Sequence, residues 1–342
     1  MIRVLIADDS ATVRSLLATV LGADSQFSVV GQAADGVEAV SMARSLRPDV
    51  ITMDVNMPRL DGLGATAAIM AEAPARVLVI SSVSEHRQLE LSFKAMAAGA
   101  LEVIAKPRPG EEMRRWGRRL SESVRLMAEV PVVRRHRAVA APAQPVAPHR
   151  GEVVCVALVA STGGPPALAR VLGDLPPALP VPILIAQHIA EGFTPGLVRW
   201  FSSVCALPVR VAADGEAPQR GSVYLAPDGC DLDLDPQGHL LTPRAGGPHC
   251  PSGNRLLQAL ARVHRTHAAG FVLTGMGDDG AQGLLALRQA GGATYAQDER
   301  SSVVFGMPLV AAQLGAARSV LSLESIAPTI LELCSQRKTT WT

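Results

Sequence analysis

The sequence predicts an α/β protein built from two doubly wound parallel-sheet domains, and three observations carry that prediction. The chain has 342 residues, more than one hydrophobic core usually serves. Short β-branched runs alternate with stretches of helical period along most of it, the rhythm of parallel strands joined by crossover helices. That rhythm breaks once, between about Met127 and Arg150, where EVPVVRRHRAVAAPAQPVAPHR is rich in Ala, Pro and Arg and keeps no period, as a semi-rigid linker does. The expected units are a first domain over residues 1–126, a linker over 127–150 and a second domain over 151–338.

In the first domain the strand segments are IRVLIA, FSVVGQA, DVITMD, RVLVIS and ALEVIAK. Asp8 and Asp9 end the first, and Asp54 ends the third. Parallel strands present their carboxyl ends at one edge, so these acids converge there. Three carboxylates in one cleft repel one another unless a hard cation neutralises them; oxygen donors of this kind suit Mg²⁺, which also accepts phosphate oxygens. Ser81 after the fourth strand and Lys106 after the fifth add a hydroxyl and an ammonium fit to bind phosphoryl oxygens. Pro107 is expected to turn the chain sharply, a cis bond being one way to do so. Any one of these acids alone reads as a helix cap or a solvated strand end, but five residues at matching places read as a phosphate-handling site.

The segments DDSATVR, DVNMPRLDG, the SS pair and AKP, in that order, resemble the receiver domain of two-component response regulators. The resemblance implies a flavodoxin-like fold with Asp54 as phosphoacceptor and Asp8 and Asp9 as Mg²⁺ carboxylates beside it. It further implies Asn56 as a backbone-carbonyl ligand, Ser81 as switch hydroxyl and Lys106 as phosphate partner. Val103 stands three residues before the lysine, where that family often has an aromatic, so an aromatic rotamer switch has no side chain to use.

The second domain resumes with VVCVALVA, VPILIAQ, VRVAADG, SVYLAP, FVLTGMG and ATYAQD, while DLDLDPQGHLLT alternates in period two around a turn and predicts some antiparallel edge structure. After its first strand comes Ser161-Thr162-Gly163-Gly164, then a helix expected to begin near Pro166. A serine on such a strand-to-helix turn has its hydroxyl lifted from the sheet edge, with free N–H groups of the helix start nearby. His188 ends the next strand, and Asp278 and Asp279 follow FVLT. A serine hydroxyl is barely ionised at neutral pH, so an imidazole must take its proton and a carboxylate must hold the imidazole. Ser161, His188 and one of the two acids supply that set.

STGGP, QH followed by FT (His188, Phe193, Thr194), APDG, LTGMGDDGAQG and VVFGMP together resemble the catalytic domain of chemotaxis protein-glutamate methylesterases, whose architecture also begins with a receiver. The resemblance implies Ser161, His188 and Asp279 as catalytic residues, the backbone N–H of Met276 in the oxyanion hole, and no cofactor in this domain. It implies γ-glutamyl methyl esters or glutamine amides on chemoreceptors as substrate, and a chemotaxis-type histidine kinase as phosphodonor. On this reading the hypothesis for control is that the unphosphorylated receiver packs over the strand ends of the second domain and blocks Ser161, and that phosphorylation of Asp54 relieves the block. Where members usually carry an RPSVD-like segment this chain reads Cys250-Pro251-Ser252-Gly253-Asn254, a departure that bears on substrate affinity or receptor choice.

Other readings are weaker. Gly275-x-Gly277-x-x-Gly280 fits a dinucleotide fingerprint, but Asp278 and Asp279 would stand where a pyrophosphate must sit. His249, Cys250, His264 and His267 suggest zinc only if the last two share a helix face. A receiver-gated module that binds receptors with little turnover keeps every motif, and differs only in rate. A net charge of +1 provides no broad field for nucleic acid. The apolar runs are too short for membrane insertion and the first residues lack a secretory pattern, so a cytoplasmic location is expected. Five cysteines without a CxxC pair suit reduced thiols.

Overall fold

The computed structural model describes residues 1–82, 86–107, 112–130 and 152–335. The chain divides into two compact units, Met1–Arg137 and Ala138–Thr342. Most of the expected linker, from 131 to 150, lies outside the described residues, as do 336–338.

The first unit alternates β1 (Ile2–Ala7), α1 (Ala11–Gly22), β2 (Phe27–Ala33), α2 (Gly36–Leu46), β3 (Val50–Met53), α3 (Gly62–Glu72), β4 (Arg76–Ser81), α4 (His86–Ala98), β5 (Glu102–Ala105) and α5 (Met113–Glu129). Its sheet is parallel in the order β2-β1-β3-β4-β5. Because helices cover both faces, Val4–Ala7 of β1, Val50–Met53 of β3 and Val77–Ser81 of β4 form near-continuous apolar runs that are buried. Ser10, Asp35 and Asp61 open α1, α2 and α3 by accepting hydrogen bonds from first-turn N–H groups. Helix α5 runs past residue 126 because Trp116, Leu120, Val124 and Met127 continue one buried stripe, and the Trp116 indole donates to the Ala105 carbonyl at 2.8 Å. The strand order reverses between β1 and β3, which opens a crevice at their carboxyl ends.

The second unit contains β6 (Cys155–Ala160), α6 (Gly164–Gly173), β7 (Ile183–Gln187), α7 (Thr194–Val204), β8 (Val209–Val211), β9 (Val223–Leu225), β10 (Asp233–Leu234), β11 (Leu240–Leu241), α8 (Gly253–Val263), β12 (Ala268–Val272), α9 (Ala281–Gln289), β13 (Ala293–Gln297), α10 (Met307–Gln313), β14 (Ser319–Leu321) and α11 (Leu323–Ser335). Seven strands form a parallel sheet in the order β14-β13-β12-β6-β7-β9-β8. The antiparallel structure is a separate ribbon, β10 on β11, which Arg255 and Arg262 of α8 fasten through Asp233. The order reverses between β6 and β12, so this sheet has its crevice there.

Several expectations need adjustment. Helix α6 begins at Gly164 rather than near Pro166, because Gly163 turns into it at φ 74°, where a Cβ would lie 2.4 Å from that of Val303. Strand β14 lies outside the expected strands, because three residues, two of them only half-buried, carry too short a pattern. The bond before Pro107 is trans, and the one cis peptide among the described residues is Cys250-Pro251. His264 caps α8 while His267 lies in the short turn after it, so the two do not share a helix face, and the zinc reading loses its basis. All five cysteines are free thiols. No helix among the described residues is long and apolar enough to cross a membrane.

Candidate functional site

Two clusters of chemistry-bearing residues sit at the two crevices. In the first unit, β1 ends at Asp8 and β3 at Asp54, both almost wholly buried, with Asp9 exposed beside them. One carboxylate oxygen from each of the three lies within 4.8 Å of the others. Lys106 follows β5 and reaches across, its Nζ 2.8 Å from Asp8 Oδ2 and 3.0 Å from Asp54 Oδ2. Burial pushes the Asp54 carboxyl up to about 6; Lys106 pulls against the rise and Asp8 adds to it. One ammonium does not neutralise three acids. The excess negative charge and all-oxygen donor set fit a hard divalent cation such as Mg²⁺.

Ser81 is fully buried at the end of β4, its hydroxyl donating at 3.5 Å to the Ser82 carbonyl. Its own carbonyl accepts from the Lys106 N–H at 2.8 Å, which locks the ends of β4 and β5 together. Asn56 is exposed just beyond Asp54.

In the second unit the three expected residues leave adjacent strands. Ala160 pairs with Gln187 as the β6–β7 ladder closes, and the His188 N–H donates to the Ala160 carbonyl at 3.0 Å, so Ser161 and His188 emerge side by side. From the other flank, the Ser161 N–H donates to the Thr274 carbonyl at 3.0 Å, and a Cβ on Gly275 would come within 2.7 Å of Ser161 Cβ. Only a glycine lets the loop after β12 run this close to the serine. Val304 and Thr274 brace that loop by exchanging hydrogen bonds, and the Gly275 carbonyl accepts from Gly306 and Met307. Met276 follows at the crevice, and among the described residues no acceptor takes its backbone N–H.

Of the two neighbouring acids, Asp278 is exposed and Asp279 is fully buried. His188 Nε2 lies 2.8 Å from Asp279 Oδ2. The same carboxylate accepts the backbone N–H of Gly253 at 2.6 Å and of Asn254 at 2.9 Å, and the Ser252 hydroxyl at 3.3 Å. These are the first N–H groups of α8, where the helix dipole favours an anion. Burial opposes ionisation, but the hydrogen bonds from His188, Asn254 and Gly253 outweigh it and hold Asp279 at about 2. An ionised acceptor requires Nε2 to carry the proton, which leaves the lone pair of the imidazole on Nδ1. The arrangement offers a hydroxyl, an imidazole held through Nε2 with Nδ1 left free of the carboxylate, and an N–H that no described residue takes.

Sequence reasoning missed four contributors. The CPSGN segment, read above as bearing on substrate choice, forms the cradle of Asp279; its signal was Ser252 as a helix N-cap ahead of an apolar stripe. Asp231 accepts the Ser252 N–H at 2.7 Å and so seats the cradle. His249 stacks on His188 with ring centroids 5.2 Å apart. Gln187 lies buried beneath both strand ends. The FT and APDG motifs meet, Thr194 donating from its hydroxyl to Asp228 at 2.6 Å.

Comparison with known proteins places both units. Residues 4–116 match the response regulator receiver domain model, and residues 156–330 match the CheB methylesterase model. The protein-glutamate methylesterase/protein-glutamine glutaminase 3 of Myxococcus xanthus (strain DK1622) is 54% identical over 98% of this chain and 94% of its own length. A second relative from that organism, number 4 of the same name, is 45% identical over 95% of each chain. Among solved structures, the Thermotoga maritima CheB methylesterase catalytic domain is 33% identical, with a TM-score of 0.52 over 53% of this chain and 98% of that one.

Proposed function

Since the chain belongs to the CheB methylesterase family and carries a response regulator receiver domain, we propose that it is a phosphorylation-activated protein-glutamate methylesterase, with protein-glutamine glutaminase activity at the same site. The observation that carries this reading is the 2.8 Å contact between His188 and the buried Asp279, beside Ser161 on the adjoining strand.

In the esterase step Ser161 Oγ attacks the γ-carbonyl of a methylated glutamate on a chemoreceptor and passes its proton to His188 Nδ1. Asp279 keeps the imidazole in the tautomer that can accept it. The backbone N–H of Met276 receives the developing oxyanion; losing one such donor typically costs about 3–4 kcal/mol of barrier. His188 returns the proton to the departing methoxide, and methanol leaves. Water then attacks the acyl-enzyme by the same groups in reverse, which frees Ser161 and leaves a glutamate side chain on the receptor. A glutamine side chain follows the same path with ammonia as the leaving group.

In the receiver, Asp54 is the phosphoacceptor for a chemotaxis-type histidine kinase. Asp8 and Asp9, with Asp54 and the Asn56 carbonyl, would hold Mg²⁺, and the ion would supply charge neutralisation for the transferred phosphoryl group. Lys106 exchanges part of its pairing with the acids for phosphoryl oxygens, and Ser81 turns its hydroxyl toward them. The enzyme works in the cytoplasm on the cytoplasmic part of its receptors.

The test is methanol release from methylated receptor membranes, with wild type and Ser161→Ala, each with and without Mg²⁺ and a small-molecule phosphodonor. Release that requires Ser161 and rises with the phosphodonor is expected. Phosphate on Asp54 without any release would assign the chain instead as a receptor-binding module with little turnover.

A further inference from the structure

Gln187 ends β7 at 4% exposure, directly under the place where β6 and β7 part. Above it the ladder has closed: Ser161 turns into α6 and His188 enters a loop without further pairing between the strands. Two backbone carbonyls lie at this fork, one from each reactive residue, that of Ser161 already accepting the Gly164 N–H at 2.8 Å. Gln187 Nε2 donates to both, at 2.9 Å to Ser161 and 2.8 Å to His188. Two carbonyl acceptors can be served only by the NH₂ end of an amide, which fixes its orientation by chemistry.

The other end of the amide has no such support. Gln187 Oε1 is buried with no hydrogen-bond partner among the described residues. It faces Gly164, where a Cβ would stand 2.1 Å from it, so the first residue of α6 must lack a side chain to admit the group. A buried unpaired carbonyl is unfavourable, and an apolar side chain of equal length would fill the same space without it. That apolar side chain would also strip the part-buried His188 carbonyl of its donor, so the amide contributes to the fold; what the fold alone does not require is a single amide that spans the nucleophile and the base.

We propose that Gln187 is a positioning residue for the reaction at Ser161: one amide straps the carbonyls of Ser161 and His188 together and sets the approach of hydroxyl to imidazole. This rests on the esterase reading above. The strap touches no reacting atom, so its loss should change the geometry of proton transfer and leave substrate binding alone. A displacement of about 1 Å at such a pair is enough to lower turnover about 10²-fold.

The test uses the full chain with Gln187→Met, which keeps length and removes both donors, and Gln187→Asn, whose amide is one methylene too short to reach both carbonyls. Methanol release gives kcat and KM, thermal melting gives stability, and the rate of Ser161 labelling by a fluorophosphonate reports serine activation without the natural substrate. Expected is a fall in kcat of about 10²-fold for Met and a smaller fall for Asn, with KM within about twofold, melting lowered only slightly by the loss of the two hydrogen bonds, and labelling slowed in parallel. Either variant suffices if the other does not fold. Lower melting with kcat per labelled serine unchanged would overturn the proposal, since Gln187 would then serve the fold alone. If wild type releases no methanol but its Ser161 is labelled, the substrate reading fails while slowed labelling in the variants still upholds the strap. If wild-type Ser161 is not labelled, no activated serine exists and the strap falls with it.

Discussion

His188 and His249 lie face to face, their ring planes 8° apart and their centroids 5.2 Å apart. Asp279 holds the edge of His188, and His249 limits rotation about that hydrogen bond. His249→Ala is therefore expected to lower kcat about three- to tenfold, the worth of one aromatic pair. His249→Phe should restore most of the rate, because a flat ring suffices; failure of Phe to do so, measured by methanol release, would point to proton chemistry at His249 instead.

Asp279→Asn keeps the shape of the site but replaces an acceptor that forces the proton onto Nε2. A corresponding change in serine proteases costs about 10⁴ in kcat, and a loss of that order is expected here. The effect on stability follows from the carboxyl held at about 2 against an ordinary 3.8. A depressed carboxyl stabilises the fold fully above its unfolded value and loses that contribution as pH falls through the folded one. The contribution is about 2 kcal/mol at neutral pH. Urea unfolding of the wild type should thus weaken between about pH 4 and pH 2, and the Asn variant should lack this part of the slope.

Asp54 and Lys106 make the second site testable separately. Asp54→Ala should abolish the rise in methanol release caused by a phosphodonor, and chelation of Mg²⁺ should do the same to the wild type. Full stimulation in the Ala variant would mean that phosphate acts elsewhere. Lys106→Met removes the ammonium that pairs with Asp8 and Asp54. It should leave Asp54 able to accept phosphate, with the stimulation reduced, as quantified by labelled phosphate incorporation against activity.

Glu102 on β5 carries a further pH signature. Burial pushes its carboxyl up to about 7, against a hydrogen bond with Ser123. The folded state then holds a proton that the unfolded chain has lost, so stability falls as pH rises from about 4.5 through 7. Glu102→Gln should stabilise the receiver by on the order of 1–2 kcal/mol at pH 8 and by little at pH 5, read from thermal melts at the two values. Equal shifts at both would show that the group does not titrate in this range.

The core strands were legible because burial on both faces of a parallel sheet leaves unbroken aliphatic runs such as CVALVA and VLVIS. Ser161, His188 and the acids were legible because strand-end residues of such sheets share one edge. What stayed hidden depends on distances between remote segments. Only burial tells Asp279 from Asp278, and burial is decided by α8, whose first turn arrives from 25 residues away in sequence. Gln187 reads as the last residue of an apolar strand, and nothing local reveals that the carbonyls of Ser161 and His188 will both come within reach of its amide. Strand β14 borrows its partner, β13, through Tyr295–Gln297 and carries little pattern of its own.

The cradle of Asp279 is made largely of peptide N–H groups, which every residue except proline possesses. Side-chain identity is nevertheless held at the helix start, since a Cβ on Gly253 would lie 2.2 Å from Val159 Cγ1, the Ser252 hydroxyl caps α8 and the Asn254 side chain accepts the Gly283 N–H, so drift that leaves the carboxylate seated is confined to the residues ahead of Ser252. The charge that steers the imidazole is thus kept by the main chain and the packing of one helix start, and only the approach to that helix is left to vary.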